Sequence, residues 1–424
     1  MANSSSSRYL KLVILSLGGS MVFNMAYLRY IFYDPLREAL GLNHEQYGWT
    51  MGAFGLCAML TYFPSGWLAD RCSPRRLMTL SCVITGLIGF YFATFPAYYM
   101  SVLVHALWGV STTLLFWASM MKACKDMAGS EEQGRFFGLL ESGRGVVTTV
   151  ANFICLALYS KFEGGSDPYA GLRWGIIFQS TVVLMIGVSI WCFFSDPTTE
   201  RKANSSLTSD IVTTLKLPMV WAAAFMVFFC FGAKCLAGYA NPYLTNVFGM
   251  SVTLAGTLAV AWNYGCWFLG GPIGGIIADK IGHRPKVLAI CFGLMTIFFL
   301  PMVLTPGDPK YLLFLGITTT ALFLSIFAIR GIYFAVIEDL NIPSHISGST
   351  IGFMSLVGFT PDVFIYPAAG KILDTFPGLE GYRLLYWAAV GFGICGTLIA
   401  AVVTVKVSRF RASMQNAPNN GPGA

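Results

Sequence analysis

Charged side chains are scarce in this sequence. Lys, Arg, Asp and Glu together make up 11% of the 424 residues, whereas soluble globular proteins average about 25%. This scarcity excludes a water-soluble globule, an intrinsically disordered chain and a DNA-binding domain with a basic polar surface. Histidine is also rare, at four residues, and no Cys and His residues have the spacing of a zinc site. We therefore expect no metal site and no nucleic-acid partner.

Motifs for nucleotide binding are missing as well. There is no P-loop, and the glycine-rich stretch GGPIGG from Gly270 lies inside an apolar run without the strand that precedes such a loop. Close helix packing explains these glycines better. None of the 11 cysteines falls in a predicted outer loop, so no structural disulfide is expected. These absences argue against an ATP-driven pump, against a cofactor and against an enzyme.

Long apolar runs are what the sequence has instead. Hydrophobic residues make up 55% of the chain, and a transmembrane helix needs about 20 predominantly apolar residues. Twelve runs are long enough, which predicts an all-α integral membrane protein with twelve transmembrane helices. The runs cover residues 10–33, 47–69, 77–96, 99–122, 135–159, 174–194, 218–243, 252–278, 287–305, 311–336, 349–373 and 384–405.

Positive charges are distributed unevenly between the two sides of these spans. If the N-terminus is inside, the predicted cytoplasmic segments hold 17 of the 27 Lys and Arg residues and the outer loops hold six. Cytoplasmic loops of membrane proteins carry the excess of Lys and Arg. The asymmetry predicts a multi-pass protein of a bacterial inner membrane with both termini in the cytoplasm.

One polar stretch divides the spans into two sets of six. Residues 195–217 are rich in Ser, Thr and charge, which predicts a cytoplasmic linker. It separates an N-terminal bundle, residues 1–194, from a C-terminal bundle, residues 218–411. Residues 412–424 are rich in Asn, Gly and Pro, and this composition predicts a disordered cytoplasmic tail.

The two halves repeat one another in sequence. Gly66-Trp-Leu-Ala-Asp-Arg-Cys-Ser-Pro-Arg75, after the second span, aligns with Gly275-Ile-Ile-Ala-Asp-Lys-Ile-Gly-His-Arg284 at a constant offset of 209. Gly134-Arg-Phe-Phe-Gly138 aligns with Gly348-Ser-Thr-Ile-Gly352 at an offset of 214. Two pseudo-symmetric six-helix bundles of this kind hold a substrate between them near the bilayer midplane and expose it alternately to each side.

The duplicated loop resembles the signature loop of the major facilitator superfamily, and the resemblance covers essentially the whole chain. The stretch from Arg330 (RGIYFAVIEDLNIP) and that from Gly352 (GFMSLVGFTPD) resemble the bacterial organophosphate and organic-anion transporter branches. The resemblance implies a cytoplasmic charge latch that sets the inward/outward equilibrium. Its implied members are Asp70, Arg71 and Arg75 in the first half and Asp279, Lys280 and Arg284 in the second. Ser73 and Pro74 depart from the usual glycine and basic residue of this loop.

Ionisable residues inside the spans are the candidates for function, because a charge in the membrane interior is costly. The cations are Arg29, Arg144, Lys234 and Arg330, and the acids are Glu141 and Asp362. Arg144 and Arg330 come nearest to the midplane by helical rise, and arginine grips carboxylate, sulfonate or phosphate groups bidentately. We therefore predict an anionic substrate bound by the four cations.

Several of these residues have a structural explanation that stays open at this stage. Glu141 and Arg144 are three residues apart on one helix, a spacing that favours mutual neutralisation as the alternative. The alternative for Arg29 is an outward-pointing side chain. Lys234 could tether Asp362 instead of a ligand. Asp362 follows Thr360-Pro361, where the helix should bend, so a gating or coupling role is predicted for it and for Glu141.

Aromatic residues inside the spans more often pack or anchor the helix than line a site. Four of them are predicted substrate contacts, namely Tyr30, Trp117, Tyr264 and Tyr333. Together these features predict a monomeric secondary transporter of a small organic anion, working by cation symport or anion exchange. A transport-inactive sensor of external metabolites and a drug or lipid exporter share the fold and remain alternatives, whereas a channel is disfavoured by the repeat.

Overall fold

The architecture is a bundle of membrane-length helices, as a computed structural model of the chain shows. The structure describes residues 2–128, 132–163, 165–195, 214–340 and 347–415, and within these ranges it contains helices and no strand. Ten of the described helical segments are long and apolar enough to cross a bilayer. Helices α3 and α4, defined below, complete the twelve predicted spans. The fold class predicted from the sequence is confirmed.

The described part of the N-terminal half contains eight α-helices, two of which are joined by a π-helical turn at Ser111–Trp117. A single 3-10 turn, Leu28–Tyr30, follows the first helix. The α-helices are α1 (Ala2–Tyr27), α2 (Tyr33–Ala39), α3 (His44–Arg71), α4 (Pro74–Phe92), α5 (Tyr98–Val110), α6 (Ala118–Met127), α7 (Gln133–Phe162) and α8 (Ala170–Phe193). Helices α5 and α6 form the fourth predicted span, and α2 is a short helix that the sequence analysis placed in a loop.

The C-terminal half contains nine described α-helices, with a second π-helical turn at Ala261–Gly265. Two 3-10 turns, Pro309–Tyr311 and Ala335–Leu340, lie at helix ends. The α-helices are α9 (Pro218–Ala237), α10 (Ala240–Phe248), α11 (Val252–Val260), α12 (Cys266–Ile281), α13 (Arg284–Leu304), α14 (Leu312–Ile332), α15 (Ser347–Gly358), α16 (Pro361–Thr375) and α17 (Leu379–Gln415). The predicted linker lies outside the described residues from 196 to 213, and so does the tail from 416 onward.

One local prediction is confirmed by these bounds, and one boundary moves. The eleventh span breaks between Gly358 and Pro361, because proline at the first position of α16 cannot donate a backbone hydrogen bond to the preceding turn. Helix α17 continues to Gln415, so residues 412–415 are helical and were wrongly placed in a disordered tail.

Glycines of the GGPIGG stretch serve close helix packing, as predicted. A Cβ atom added at Gly274 would lie 2.6 Å from the carbonyl oxygen of Ala328, and one at Gly331 would lie 2.6 Å from that of Gly271. Helices α12 and α14 therefore touch backbone to backbone. This contact fixes the position of Arg330 beside α12.

The two halves meet most closely where α3 packs on α16. A Cβ atom at Gly52 would lie 2.9 Å from the carbonyl oxygen of Val363, and one at Gly55 would lie 2.7 Å from the backbone of Asp362. Any larger side chain on this face of α3 would force the helices apart. Asp362 is thereby held at the boundary between the halves.

Candidate functional site

Arg144 and Arg330, here called the arginine pair, converge on one indole ring. The guanidinium carbon of Arg144 lies 5.3 Å from the ring centroid of Trp267, and that of Arg330 lies 5.2 Å from the same centroid. The two guanidinium carbons are thus no more than 10.5 Å apart, the sum of these distances. Residues from opposite halves therefore present two positive charges to one small region.

Arg144 is nearly buried and has one ion-pair partner. Its Nη1 donates to Oε1 of Glu141 at 2.5 Å, and its Nε donates to the carbonyl oxygen of Gly19 at 3.1 Å. The Glu141 side chain is 40% exposed, against 8% for that of Arg144. The two residues form the ion pair that the sequence left open as an alternative. The Glu141 carboxylate nevertheless remains accessible from outside the protein.

Arg330 has aromatic neighbours and no carboxylate partner within 4 Å among the residues that the structure describes. Its guanidinium also lies 5.4 Å from the centroid of Phe327, whose ring is stacked on Trp267 at 6.2 Å. The charge of Glu141 interacts with Arg330 across the boundary between the halves, and Tyr333 lies beside Arg330. The arginine pair with Glu141 carries a net charge of plus one.

One π-helical turn ends at an aromatic residue of this region, and the other lies just before one. The turn Ser111–Trp117 ends at Trp117, whose ring lies 5.3 Å from the guanidinium carbon of Arg144. The turn Ala261–Gly265 contains Tyr264 and ends two residues before Trp267. An extra residue in a helical turn rotates the side chains that follow it, and such turns are frequent at functional sites.

A second group of polar residues, here called the tyrosine–aspartate network, links α9 and α16 to the end of α1. Lys234 Nζ donates to the Tyr30 hydroxyl at 2.7 Å, and this hydroxyl lies 2.5 Å from that of Tyr366. Tyr27 donates to Oδ2 of Asp362 at 2.9 Å, and Cys235 donates its thiol proton to Oδ1 at 3.4 Å. Lys234 therefore donates to a tyrosine, and the tether from Lys234 to Asp362, the alternative to a ligand contact that the sequence left open, is not formed.

Arg29 is enclosed by tyrosine rings. Its guanidinium carbon lies 4.7 Å from the centroid of Tyr47, 4.5 Å from Tyr366 and within 6 Å of Tyr33 and Tyr239. The residue is 3% exposed, and Tyr366 and Tyr239 belong to the opposite half. Arg29 does not point outward, and cation–π contacts hold it at the closed boundary instead of leaving it open to a ligand.

Tyr264 contacts an amide cluster in the N-terminal half. Its hydroxyl donates to Oδ1 of Asn24 at 3.2 Å, and Asn24 donates to Oδ1 of Asn152 at 2.8 Å. Gln179 donates to the same Asn152 oxygen at 3.4 Å. Tyr264 is therefore an inter-half contact rather than a neighbour of the arginine pair.

Carboxylates close the end of the bundle that carries Asn43, the predicted outer end. Asp374 of α16 accepts the backbone N–H groups of His44 at 3.0 Å and Glu45 at 2.8 Å. Asp34 of the N-terminal half in turn accepts from two residues of the C-terminal half, Thr245 at 2.8 Å and Asn246 at 3.1 Å. Every hydrogen bond between the halves that the structure describes uses Glu163 or a residue from 24–59 of the N-terminal half.

The predicted latch residues lie at the opposite end of the bundle. In the C-terminal half, all three of them are described with their side chains. Arg284 lies 3.9 Å from Asp279 and 2.8 Å from Glu338, and Asp339 accepts from Arg411 at 2.5 Å. Lys280 is exposed. Burial, followed by the charge of Arg411, lowers the pKa of His283 in the same loop. In this half, the acidic residues after α14 and the end of α17 therefore contact the duplicated loop between α12 and α13.

In the first half the loop is built differently. Arg71 lies over the ring of Trp67 at 4.1 Å, and Arg75 donates to the carbonyl oxygen of Trp191 at 2.9 Å. The side chain of Asp70 lies outside the described residues. Gly282 ends α12 in the left-handed conformation with φ of 67°, whereas α3 ends at Cys72 in extended backbone. Ser73 replaces that glycine in the repeat, which is why the two loops turn differently.

The structure thus places six of the eight predicted substrate contacts in two sets. Trp117 and Tyr333 lie beside the arginine pair of Arg144 and Arg330, and Lys234 and Tyr30 belong to the tyrosine–aspartate network with Asp362. The other two, Arg29 and Tyr264, belong to neither set. The sequence analysis did not single out Trp267, Asp374 or Cys235. No local pattern distinguishes them, because their importance comes from contacts with residues more than 100 positions away.

Comparison with known proteins gives one family. The model of the Major Facilitator Superfamily matches residues 13–360. The inner membrane protein YqcE of Escherichia coli K12 is 32% identical over 416 residues, which cover 94% of this chain and 96% of that protein. The probable galactarate/D-glucarate transporter GudP of the same organism is 22% identical over 90% of each chain. A bacterial homologue of the lysosomal transporter Spinster, solved inward-facing and unoccupied, superposes with a TM-score of 0.77 at 16% identity, covering 95% of this chain and 98% of that one.

Proposed function

The chain belongs to the major facilitator superfamily, and from this membership and the site we propose that it transports a small organic anion. As a member of this superfamily it is an integral membrane transporter and not an enzyme. The proposal adds the substrate class, the alternating-access mechanism with both termini in the cytoplasm, and coupling to a cation or a counter-transported anion.

The arginine pair is the observation that carries the anion proposal. Arg144 is buried and Arg330 is half-buried, and two like charges in one region repel each other strongly where water is largely excluded. Glu141 compensates one of them, and Arg330 has no carboxylate partner within 4 Å in the described part of the chain. A bound carboxylate, sulfonate or phosphate group would supply the missing negative charge and could accept from both guanidinium forks.

The distribution of inter-half hydrogen bonds supports alternating access. The described bonds lie between the arginine pair and the predicted outer end, where Asp374 and Asp34 join the halves. This arrangement fits a state that is closed outside and able to open toward the cytoplasm. Separating the halves at the outer end would break these bonds and expose the arginine pair to that side.

Asp362 is the proposed site of coupling. It is 5% exposed, and its oxygens accept from the neutral donors Tyr27 and Cys235. Because Tyr27 belongs to the other half, a change in the charge of Asp362 would change the strength of a bond that closes the outer end. Cation symport through Asp362 and anion exchange without it are the two coupling modes that remain.

The alternatives are less well supported by this site. A lipid exporter would need an apolar site open to the bilayer, whereas three cations are buried and Arg330 is half-buried between these halves. The name of GudP, a distant relative, refers to galactarate and D-glucarate, both of which are organic anions. A transport-inactive sensor would also bind an anion, so only a transport measurement separates it from a transporter.

A binding screen followed by vesicle uptake tests the proposal. Carboxylates, sulfonates, sugar phosphates and neutral sugars are added to purified protein, and a ligand of the folded state raises the melting temperature. For the best anion, Arg144→Lys should weaken binding nearly as much as Arg144→Ala, by about ten- to hundredfold, because an ammonium group lacks the bidentate fork. Arg173→Ala, which removes an exposed arginine paired with Asp167, serves as the control. A neutral sugar as the best ligand, or wild-type affinity in a folded Arg144→Ala variant, would refute the anion proposal.

A further inference from the structure

Resting on the proposed function, we infer that the arginine pair takes a ligand with a single negative charge and that Glu141 selects against a second one. The substrate class is then a carboxylate or a sulfate or sulfonate group, and a doubly charged phosphate monoester is disfavoured.

The charge balance around Trp267 gives this result. Arg144 and Arg330 contribute two positive charges within 10.5 Å of each other, the sum of their distances to the Trp267 centroid. Glu141 contributes one negative charge through its bond of 2.5 Å to Arg144, and it also interacts with Arg330. One negative charge on the ligand therefore neutralises the group, whereas two leave an excess negative charge next to the Glu141 carboxylate.

The other charges between the halves do not supply a further positive charge to the ligand. Arg29 is 3% exposed and enclosed by four tyrosine rings. Lys234 donates to Tyr30 in the same buried network that holds Asp362, and the opposite charges of Lys234 and Asp362 offset each other. The arginine pair with Glu141 is thus the group whose charge a ligand can complete.

The position of Glu141 allows it to act on a ligand directly. Its side chain is 40% exposed while that of Arg144 is 8% exposed, so the carboxylate forms part of the accessible face of the site. Within the described residues, Nη2 of Arg144 donates to no protein acceptor, whereas Nη1 and Nε are both engaged. A ligand oxygen could accept from Nη2 without displacing Glu141, and it would then lie within a few ångströms of the carboxylate.

Matched pairs of anions that differ in charge but little in shape test the inference. Ethyl sulfate is compared with ethyl phosphate, D-glucose 6-sulfate with D-glucose 6-phosphate, and D-gluconate with D-glucarate, at pH 8 and constant ionic strength. Phosphate monoesters carry nearly two charges at this pH, because their second pKa is about 6. Dissociation constants are measured for wild type and for Glu141→Gln, Glu141→Asp and Glu380→Gln, with the unliganded melting temperature as the check on folding.

We expect wild type to bind the singly charged member of each bound pair more tightly. Glu141→Gln should change the affinity ratio by at least about tenfold in favour of the doubly charged member, since one unit charge at a few ångströms is being removed. Glu141→Asp should keep the wild-type preference, and so should Glu380→Gln, which removes the same charge at the exposed start of α17.

The outcomes separate this inference from the proposed function. A wild-type preference for the doubly charged members, or an unchanged ratio in folded Glu141→Gln, overturns the role of Glu141 and leaves anion transport standing. If Glu141→Gln fails to fold, the wild-type ratio and Glu141→Asp still decide the question. Failure of wild type to bind any of the six anions, with a neutral ligand bound instead, overturns both.

Discussion

Removing the Asp374 carboxylate should destabilise the closed outer end. The start of α3 has four backbone N–H groups without partners inside the helix. Asn43 and Gln46 take two of them by a reciprocal capping box, with bonds of 3.2 Å and 2.8 Å. Asp374, from the opposite half, takes the other two at His44 and Glu45. The helix is therefore fully capped only when the halves are together at this end.

The magnitude follows from the exposure of these bonds. Asp374 is exposed, so water can replace the carboxylate at both N–H groups, and the loss resembles that of one helix cap. A lost cap costs about 1–2 kcal/mol, which corresponds to a change of roughly five- to thirtyfold in the equilibrium between closed and open outer end. Asp374→Ala should favour the outward-open state by that factor.

Hydrogen exchange by mass spectrometry measures this directly. Peptides that cover residues 41–50 and 240–250 should exchange faster in Asp374→Ala than in wild type, while peptides from α13 should not change. Glu163→Ala is the matched control, because Glu163 also lies at the outer end of its half's fifth span but reaches only the Thr253 hydroxyl, at 3.5 Å. Equal exchange in Asp374→Ala and wild type, or a larger effect of Glu163→Ala, would refute the reasoning.

Two further predictions concern coupling and the latch. Asp362→Asn should retain exchange of labelled for unlabelled anion in vesicles but lose accumulation driven by a pH gradient; retained accumulation would show that Asp362 does not carry the coupling proton. Neutralising Asp279 should alter the equilibrium between the inward-facing and outward-facing states and largely spare substrate affinity. Asp339→Asn should shift this equilibrium more, by about 2 kcal/mol, because the Asp339 side chain is 8% exposed and pairs with Arg411 at 2.5 Å. Hydrogen-exchange rates of residues 275–290 check both latch substitutions. A larger effect of Asp279→Asn than of Asp339→Asn would contradict this prediction.

The sequence by itself determined the fold, because the cost of placing polar residues in a bilayer is a local property of each segment. Apolar runs of membrane length predicted the spans, and the offset of 209 between Asp70 and Asp279 predicted two related halves. The break before Pro361 and the close packing at Gly274 also followed from local chemistry, since proline lacks an N–H group and glycine lacks a Cβ atom.

The sequence also located the ionisable residues inside the spans, because a charge inside the membrane needs a partner wherever it lies. It could not identify the partners. Lys234 was expected to bind Asp362 or a ligand, yet it binds Tyr30, 204 positions away. The choice depends on how α1 and α9 are rotated about their axes when the halves close.

Only the tertiary structure brought Trp267 between Arg144 and Arg330 and placed Asp374 on the first turn of α3. The π-helical turn at Ala261–Gly265 shifts the register of every later side chain in that helix, and a shift of one residue turns a side chain by about 100° around the axis. Hydrophobic periodicity does not record such a shift in a helix that is apolar on most faces. The contacts between the halves were therefore decided by helix rotation and close packing.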